Sequence, residues 1–448
     1  GAQGDNYLPE TMGSGAAFLD YDNDGDQDIV FANASRWQSG GNPAPSSPAL
    51  YRNQGDGTFE QATNEAGLNK TFYGTGVASA DYDGDGYADL FFSAVGHNVL
   101  YRNIAGKYFE EVDGSVVSGS ANAWSTCSAF LDFDKDGDLD LFVCNYVEWS
   151  PEIDLSIDYR LAGIGRAYGP PTDYAGTNSY LFENLGDGTF EDVSRKAGLH
   201  VVNPATGKPM GKALGVVTFD FDDDGFMDIA VANDTVRNFL FHNRGDGHFE
   251  EVGVPSGMAF DMNGAATGAM GIDAGRLETG LSVAIGNFAN EMTSFYVSSD
   301  QAFLFTDEAA ISGIGPPSRE SLTFGVLFLD VDLDSRLDLF QVSGHIEDDI
   351  NVVQSSQYYE QLPQIFWNCG ANCARQFLEV GPVSLGGLHT PLAARGSAYA
   401  DIDGDGDLDL LITQVAKPPV LYRNDQALGN NWLRVNLVGN SPNTSAIG

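Results

Sequence analysis

The chain has 448 residues, with 63 Asp and Glu against 22 Lys and Arg, for a formal net charge of −41. That charge repels nucleic acid and anionic membrane surfaces and leaves multivalent cations and basic partners as candidates. At 42% hydrophobic residues the chain is no disordered acidic tail, and no apolar run approaches the roughly 20 residues of a membrane helix.

Length alone suggests about three domains, as a first guess. The start at Gly1, without an initiator Met or signal-peptide pattern, reads as a mature form or a fragment.

The acid is clustered, and the clusters repeat. The first is Asp20, Asp22, Asp24, Gly25, Asp26 and Asp28. Asp81, Asp83, Asp85, Gly86 and Asp89 follow at the same spacing, then Asp132, Asp134, Asp136, Gly137 and Asp140. The fourth has Asp220, Asp222, Asp224, Gly225 and Asp228. Where a fifth is due, around Gly271 to Gly275, only Asp273 remains. The sixth keeps Asp330, Asp332, Asp334 and Asp338 but has Ser335 in place of Gly, and the last has Asp401, Asp403, Asp405, Gly406 and Asp409. The starts at 20, 81, 132, 220, 273, 330 and 401 imply seven units covering nearly the whole chain.

A second signature follows most clusters, as in Leu50-Tyr-Arg-Asn53 before Gly55-Asp-Gly57 and Leu181-Phe-Glu-Asn184 before Gly186-Asp-Gly188. Gly-Asp-Gly between short apolar runs is a hairpin turn. No segment sustains a 3.6-residue apolar period. Each unit reads as strand, Asp loop, strand, loop, strand, Gly-Asp-Gly turn, strand. Seven such units predict an all-β, seven-bladed β-propeller with four-stranded blades over residues 1–430. Residues 431–448 are left as a closing strand or the start of another module, with the Trp432-to-Leu437 run the preferred donor of the last outer strand.

Aspartates at loop positions one, three, five and nine repel one another unless a cation sits among them. Calcium takes six to eight oxygens and mixes carboxylates with a backbone carbonyl. Position seven would supply that carbonyl, from Asp26, Tyr87, Asp138, Phe226, Asp407 and, in the sixth loop, Arg336. The variety of these side chains fits a backbone role. The loop is not an EF-hand, which is longer, ends in Glu and is flanked by helices. Magnesium suits such an all-protein cage poorly. Five or six calcium ions are expected, with none in the fifth blade. At millimolar calcium, five sites of Kd near 10⁻⁴ M would add about 7 kcal/mol, so the ions read as structural cement.

These repeats resemble the FG-GAP/VCBS repeats of integrin α-subunit propellers and secreted bacterial proteins. Within that group the chain is similar to the cartilage acidic protein family, whose propeller precedes an ASPIC/UnbV module. The stretches that carry the narrower likeness are Cys144-Asn-Tyr-Val-Glu148, Tyr168-Gly-Pro170, Gly286-Asn-Phe-Ala-Asn-Glu291, Gly315-Pro-Pro-Ser318 and Gly344-His-Ile346. Asn431-Trp-Leu-Arg-Val435 and Ala446-Ile-Gly448 look like the opening of that module. The resemblance implies a secreted, calcium-binding propeller used in adhesion or matrix interaction, and it brings no catalytic residues. It departs at Ala167-Tyr168, where the family usually has a Cys, and in the shortened fifth blade.

Cys127 and Cys144 flank the third loop and would face each other across a hairpin; Cys369 and Cys373 could close a small ring. Both pairs suit an oxidising compartment, with buried free thiols the alternative for the first. Arg244-Gly-Asp246 fills the same turn as Gln54-Gly-Asp56, so it reads as a hairpin and not a ligand motif. Sequons begin at Asn33, Asn69, Asn233 and Asn443, a number near chance. His345 reads as a surface ligand or, better, a loop hydrogen-bonder.

The long segments 145–180 and 341–366 are the expected binding elements, rich in Tyr and Trp, and the alternative is that these aromatics pack across the propeller face. The function expected is a secreted, extracellular or periplasmic interaction scaffold for a protein or glycan ligand, with no nucleic acid and no membrane insertion. The alternatives are an extracellular polysaccharide lyase, which would need Arg, His and Tyr converging in a cleft, or a subunit of an envelope or filament assembly.

Overall fold

Each Asp loop ends one short strand and begins the next, so every unit folds as an antiparallel meander. The computed structural model describes residues 6–13, 15–34, 48–112, 114–299, 304–370, 373–381, 384, 386–426, 428–435, 437, 439 and 443. Blade one contains Ala16–Leu19, Asp28–Phe31, Ala49–Asn53 and Phe59–Gln61. Blade two contains Tyr73–Ala80, Asp89–Val95, Val99–Ile104 and Tyr108–Glu111; blade three, Ser125–Leu131, Asp140–Asn145, Tyr180–Asn184 and Phe190–Asp192. Blade four has Ala213–Phe219, Asp228–Asn233, Phe239–Asn243 and Phe249–Glu251. Blade five has Ile272–Leu277, Gly280–Ile285, Ser294–Ser298 and Phe305–Asp307, and blade six Thr323–Leu329, Asp338–Ser343, Gln364–Asn368 and Phe377–Glu379. Blade seven has three described strands, Ala394–Ala400, Asp409–Gln414 and Val420–Tyr422.

The first strand of every blade contacts the first strand of the next, and the seventh returns to the first. These inner strands crowd the axis. A Cβ on Gly271 would lie 2.1 Å from the Phe324 carbonyl, and one on Gly215 would lie 2.4 Å from the Met270 carbonyl, so only glycine fits. The core is divided between the blades. One apolar cluster fills each gap, for example Leu19, Val30, Leu90, Phe92 and Tyr101 between blades one and two. The last gap is filled by Ile29, Phe31 and Ala49 of blade one against Leu411 of blade seven.

Strand alternation puts all Asp loops and Gly-Asp-Gly turns at one end of the ring. The connections between second and third strands, and between blades, lie at the other. Both long insertions therefore share the end away from the Asp loops.

The structure decides three expectations. Asp273 does not begin a loop: it lies within a strand and accepts hydrogen bonds from Phe328 N (2.7 Å) and Ala274 N (2.9 Å). The fifth hairpin instead turns at Glu278–Thr279, because the unit is too short for a nine-residue loop. Second, none of the described residues of 432–437 forms a strand. Leu433, Val435 and Leu437 are exposed, and the segment folds back over the last Asp loop, where Trp432 covers Gly406 and Arg434 pairs with Asp401. Third, most aromatics of the first insertion are buried. Tyr146, Trp149, Tyr168 and Tyr174 pack with Tyr7, Leu8, Tyr73 and Trp124 across the end of the ring. Ala446–Gly448 lie outside the described residues.

Both cysteine pairs form disulfides, Cys127–Cys144 with Cα atoms 5.0 Å apart and Cys369–Cys373 with 6.0 Å. Asn233 is buried, so its sequon is closed to modification.

Candidate metal centre and ligand face

Backbone donors shape each Asp loop around its first and fifth residues. Asp20 accepts from Asp24 N (3.0 Å) and Gly25 N (2.9 Å), and Asp220 from Asp224 N (3.1 Å) and Gly225 N (2.8 Å). Position five accepts from position seven, as when Tyr87 N donates to Asp85 (3.1 Å) and Phe226 N to Asp224 (2.8 Å). These bonds fix the backbone at position seven. Ser335 takes φ +71° where the other loops have glycine at +86° to +97°, so the sixth loop keeps the shape at some strain. Position four is also left-handed, at Asn23, Lys135, Asp223 and Leu333, and no sequence pattern announces this.

Position nine is a hub. Asp28, Asp89, Asp140, Asp228, Asp338 and Asp409 are fully buried. In each, one carboxylate oxygen accepts from the backbone N of position two: Tyr21, Tyr82, Phe133, Phe221, Val331 or Ile402. The other accepts from the backbone N of an asparagine ending the third strand: Asn53, Asn103, Asn184, Asn243, Asn368 or Asn424. Burial is the main cause that pushes these carboxyls up, to about 8 for Asp89 and Asp140, about 7 for Asp28 and Asp338 and about 6 for Asp228 and Asp409.

The same asparagines latch blade to blade. Asn103 Nδ2 donates to Tyr21 O of the preceding blade (2.8 Å), Asn184 to Tyr82 O (2.8 Å), Asn243 to Phe133 O (2.7 Å) and Asn424 to Val331 O (2.9 Å). Asn53 donates to Ile402 O (2.9 Å) and so joins the first blade to the last. Asn368 faces the blade that lost its Asp loop and bonds only within its own blade, to Leu337 O (3.0 Å). Asn184→Ala should therefore cost about 2 kcal/mol and lower the melting temperature by roughly 2 °C, with Asn368→Ala costing clearly less. Equal calorimetric shifts for the two variants would sink the latch account.

The loops bring together the acids that the spacing implied. One oxygen from each of Asp20, Asp22 and Asp28 lies within 4.8 Å of the others. The same holds for Asp81, Asp83 and Asp85, for Asp132, Asp134 and Asp136, and for Asp220, Asp222 and Asp224. Asp22 Oδ1, Asp132 Oδ1 and Asp332 Oδ1 are buried without a hydrogen-bond partner, a donor set that fits a hard cation. Arginines already lean on some loops: Arg102 on Asp83 and Asp85, Arg423 on Asp403 (3.7 Å), Arg434 on Asp401. In the sixth loop Arg336 pairs with Asp334, an internal cation in competition with a metal.

At the opposite end the second insertion borders an open cleft of about 900 Å³, lined by Asp348, Tyr358, Tyr359, Glu360, Gln361 and His389 among others. Tyr358 is 61% exposed, so its ring is available for stacking. Among the described residues no arginine lines the cleft. His345 is buried and accepts from Glu347 N (3.0 Å), which makes it the loop hydrogen-bonder. The sequence reading missed the short helix Pro151–Ile157, although Ser150-Pro151-Glu152 announces it, and Ser150 Oγ caps Ile153 N at 3.2 Å.

An all-β ring of seven blades with this Asp loop in six of them defines a repeat β-propeller, and a family model for FG-GAP-like repeats matches residues 20–92 and 220–277. The chain is homologous to cartilage acidic protein 1, 23% identical over 450 residues to the proteins of Mus musculus and Homo sapiens and 24% over 452 residues to that of Xenopus tropicalis. These alignments cover 95% of this chain and 60–62% of the relatives, so the chain spans about three fifths of their length. Among solved structures, an Agrocybe aegerita lectin that recognises non-reducing terminal N-acetylglucosamine aligns with TM-score 0.47 and 16% identity over 83% of this chain and 80% of its own. A COPII outer-coat vertex chain aligns with TM-score 0.48 and 9% identity over 93% and 85%.

Proposed function

We propose that the chain is a calcium-stabilised extracellular interaction scaffold. In this reading the carboxylates at positions one, three, five and nine hold one ion per intact loop with the position-seven carbonyl, in blades one to four and seven, and more weakly in blade six. The segregation of the two ends carries the reading: acid loops at one, the long insertions and the large cleft at the other. Homology to cartilage acidic protein 1 supports it. Residues 431–448 would then open the following module.

The test is binding to a glycan array and a panel of matrix proteins, in millimolar calcium and in chelator. Calcium-dependent binding that Tyr358→Ala weakens about tenfold is expected, since a stacked aromatic contributes roughly 1–2 kcal/mol at a contact. Binding untouched by Tyr358→Ala, or mapped to the Asp-loop end, would refute the assignment of the ligand face.

A further inference from the structure

A second cavity, of about 310 Å³, opens at the axis on the end that bears the insertions. Three successive blades each send an acid into its wall: Asp234, Glu291 and Glu347, all from connections between second and third strands. Among the described residues no Lys or Arg lines it. Outside the wall, the Lys212 ammonium donates to Pro171 O (2.5 Å) and its charge partly offsets that of Asp234, while the Arg395 guanidinium is held by backbone carbonyls; among the described residues Glu291 and Glu347 have no such cation.

Each acid is fixed through one oxygen. Tyr146 OH donates to Asp234 Oδ2 (2.5 Å), Gly268 N to Glu291 Oε2 (2.8 Å) and Tyr168 N to Glu347 Oε1 (2.8 Å). Asp234 and Glu347 are 7% and 5% exposed, and their second oxygens take no hydrogen bond from any described residue. Gly268 lies between two of the acids. A Cβ there would collide with Phe288 Cβ at 2.7 Å and would stand 3.4 Å from Asp234 Oδ1 and 3.6 Å from Glu291 Oε2. The rest of the wall is largely aromatic and aliphatic, with Tyr159, Tyr168, Phe288 and Phe324.

Carboxylates that face a largely apolar cavity through an oxygen without a donor favour a cation there, and aromatic faces attract the same charge. A hydrated metal ion would waste the apolar wall, whereas an amine on an apolar body uses all of it. We propose that this cavity binds a small organic cation, an ammonium or guanidinium group carried on an apolar stem. The same chemistry could arrive as a free amine or as a basic side chain of a partner polypeptide.

The test uses the full chain in saturating calcium, with calorimetric titration of tyramine, agmatine and the uncharged 4-ethylphenol. A parallel arm compares an arginine-containing peptide with its citrulline counterpart. Expected is one-to-one binding of a charged probe at least about thirtyfold tighter than its neutral counterpart, weakened about tenfold by Glu291→Gln. Val353→Trp, at the exposed mouth, should block entry without touching an acid. Binding by the arginine peptide but not the free amines would assign the source to a partner's side chain. Equal binding of charged and neutral probes, no binding of any, full binding by both variants, or stoichiometric displacement of the amine by calcium would each overturn the proposal.

Discussion

Chelation of calcium should lower the melting temperature by roughly 9 °C. At calcium tenfold above Kd each site contributes about 1.4 kcal/mol, and six sites about 8 kcal/mol. Spread over an unfolding entropy of about 2 cal/mol/K per residue for 448 residues, this gives the stated shift. Native mass measurement should count five or six ions. The shift should also depend on pH with a definite sign. Without a cation, the position-nine carboxyls sit near 6 to 8, above an ordinary value near 4. A raised carboxyl holds its proton more tightly folded than unfolded. Its contribution is complete below about pH 4 and is lost as the pH rises through 6 to 8. The chelated chain should therefore melt higher at pH 5.5 than at pH 8, and the gain from calcium should grow over the same interval. A melt indifferent to chelator at pH 8, with no ions counted, would remove the metal account of the Asp loops.

The repeat was legible because the loop is a local object. Nine consecutive residues contain all of its side-chain donors, and the spacing of Asp20, Asp22, Asp24 and Asp28 is enough to read them. The asparagine that ends each third strand was visible as a recurring letter, but its role was not. Asn184 acts through Tyr82 O, 102 residues away in another blade, and no local pattern encodes that partner. The central cavity was invisible for the same reason, since Asp234, Glu291 and Glu347 belong to three blades and share no motif. The insertions were correctly singled out as unusual. Their aromatic content left open which rings would cover the propeller face, as Tyr146 and Trp149 do, and which would remain outside, as Tyr358 does. Aromatic residues serve both ends, and only packing decides between them.

Ring closure provides the second large effect. With none of the described residues of 432–437 in a strand, the circle is held by the N-terminal segment, and Arg395 is its anchor. This guanidinium is 3% exposed and lies over the Phe324 ring, 4.1 Å from its centroid. It donates to Gly344 O (3.1 Å), Ala394 O (2.7 Å) and His345 O (3.1 Å), and its Nε reaches Thr11 O in the N-terminal turn Leu8–Thr11. That turn is stitched to three further places: Leu8 N to Asp154 (2.8 Å), Tyr73 OH to Pro9 O (3.1 Å) and Asn6 Nδ2 to Arg166 O (2.7 Å). Burial lowers the Arg395 group only to about 10, so it stays charged at neutral pH and its charge is met by carbonyl dipoles. Arg395→Ala leaves buried carbonyls without donors and frees the segment, which should cost about 3–5 kcal/mol and lower the melting temperature by roughly 3–5 °C. Gly13→Ala should act in the same direction, since Gly13 has φ +69° and an added Cβ would meet Arg395 Cγ at 2.5 Å. Hydrogen exchange at residues 8–13 should rise in both variants while the inter-blade cores stay protected. If Arg395→Ala melts within a degree of the parent and exchange at those residues is unchanged, then the apolar contact of Leu411 with Ile29 and Phe31 closes the ring unaided.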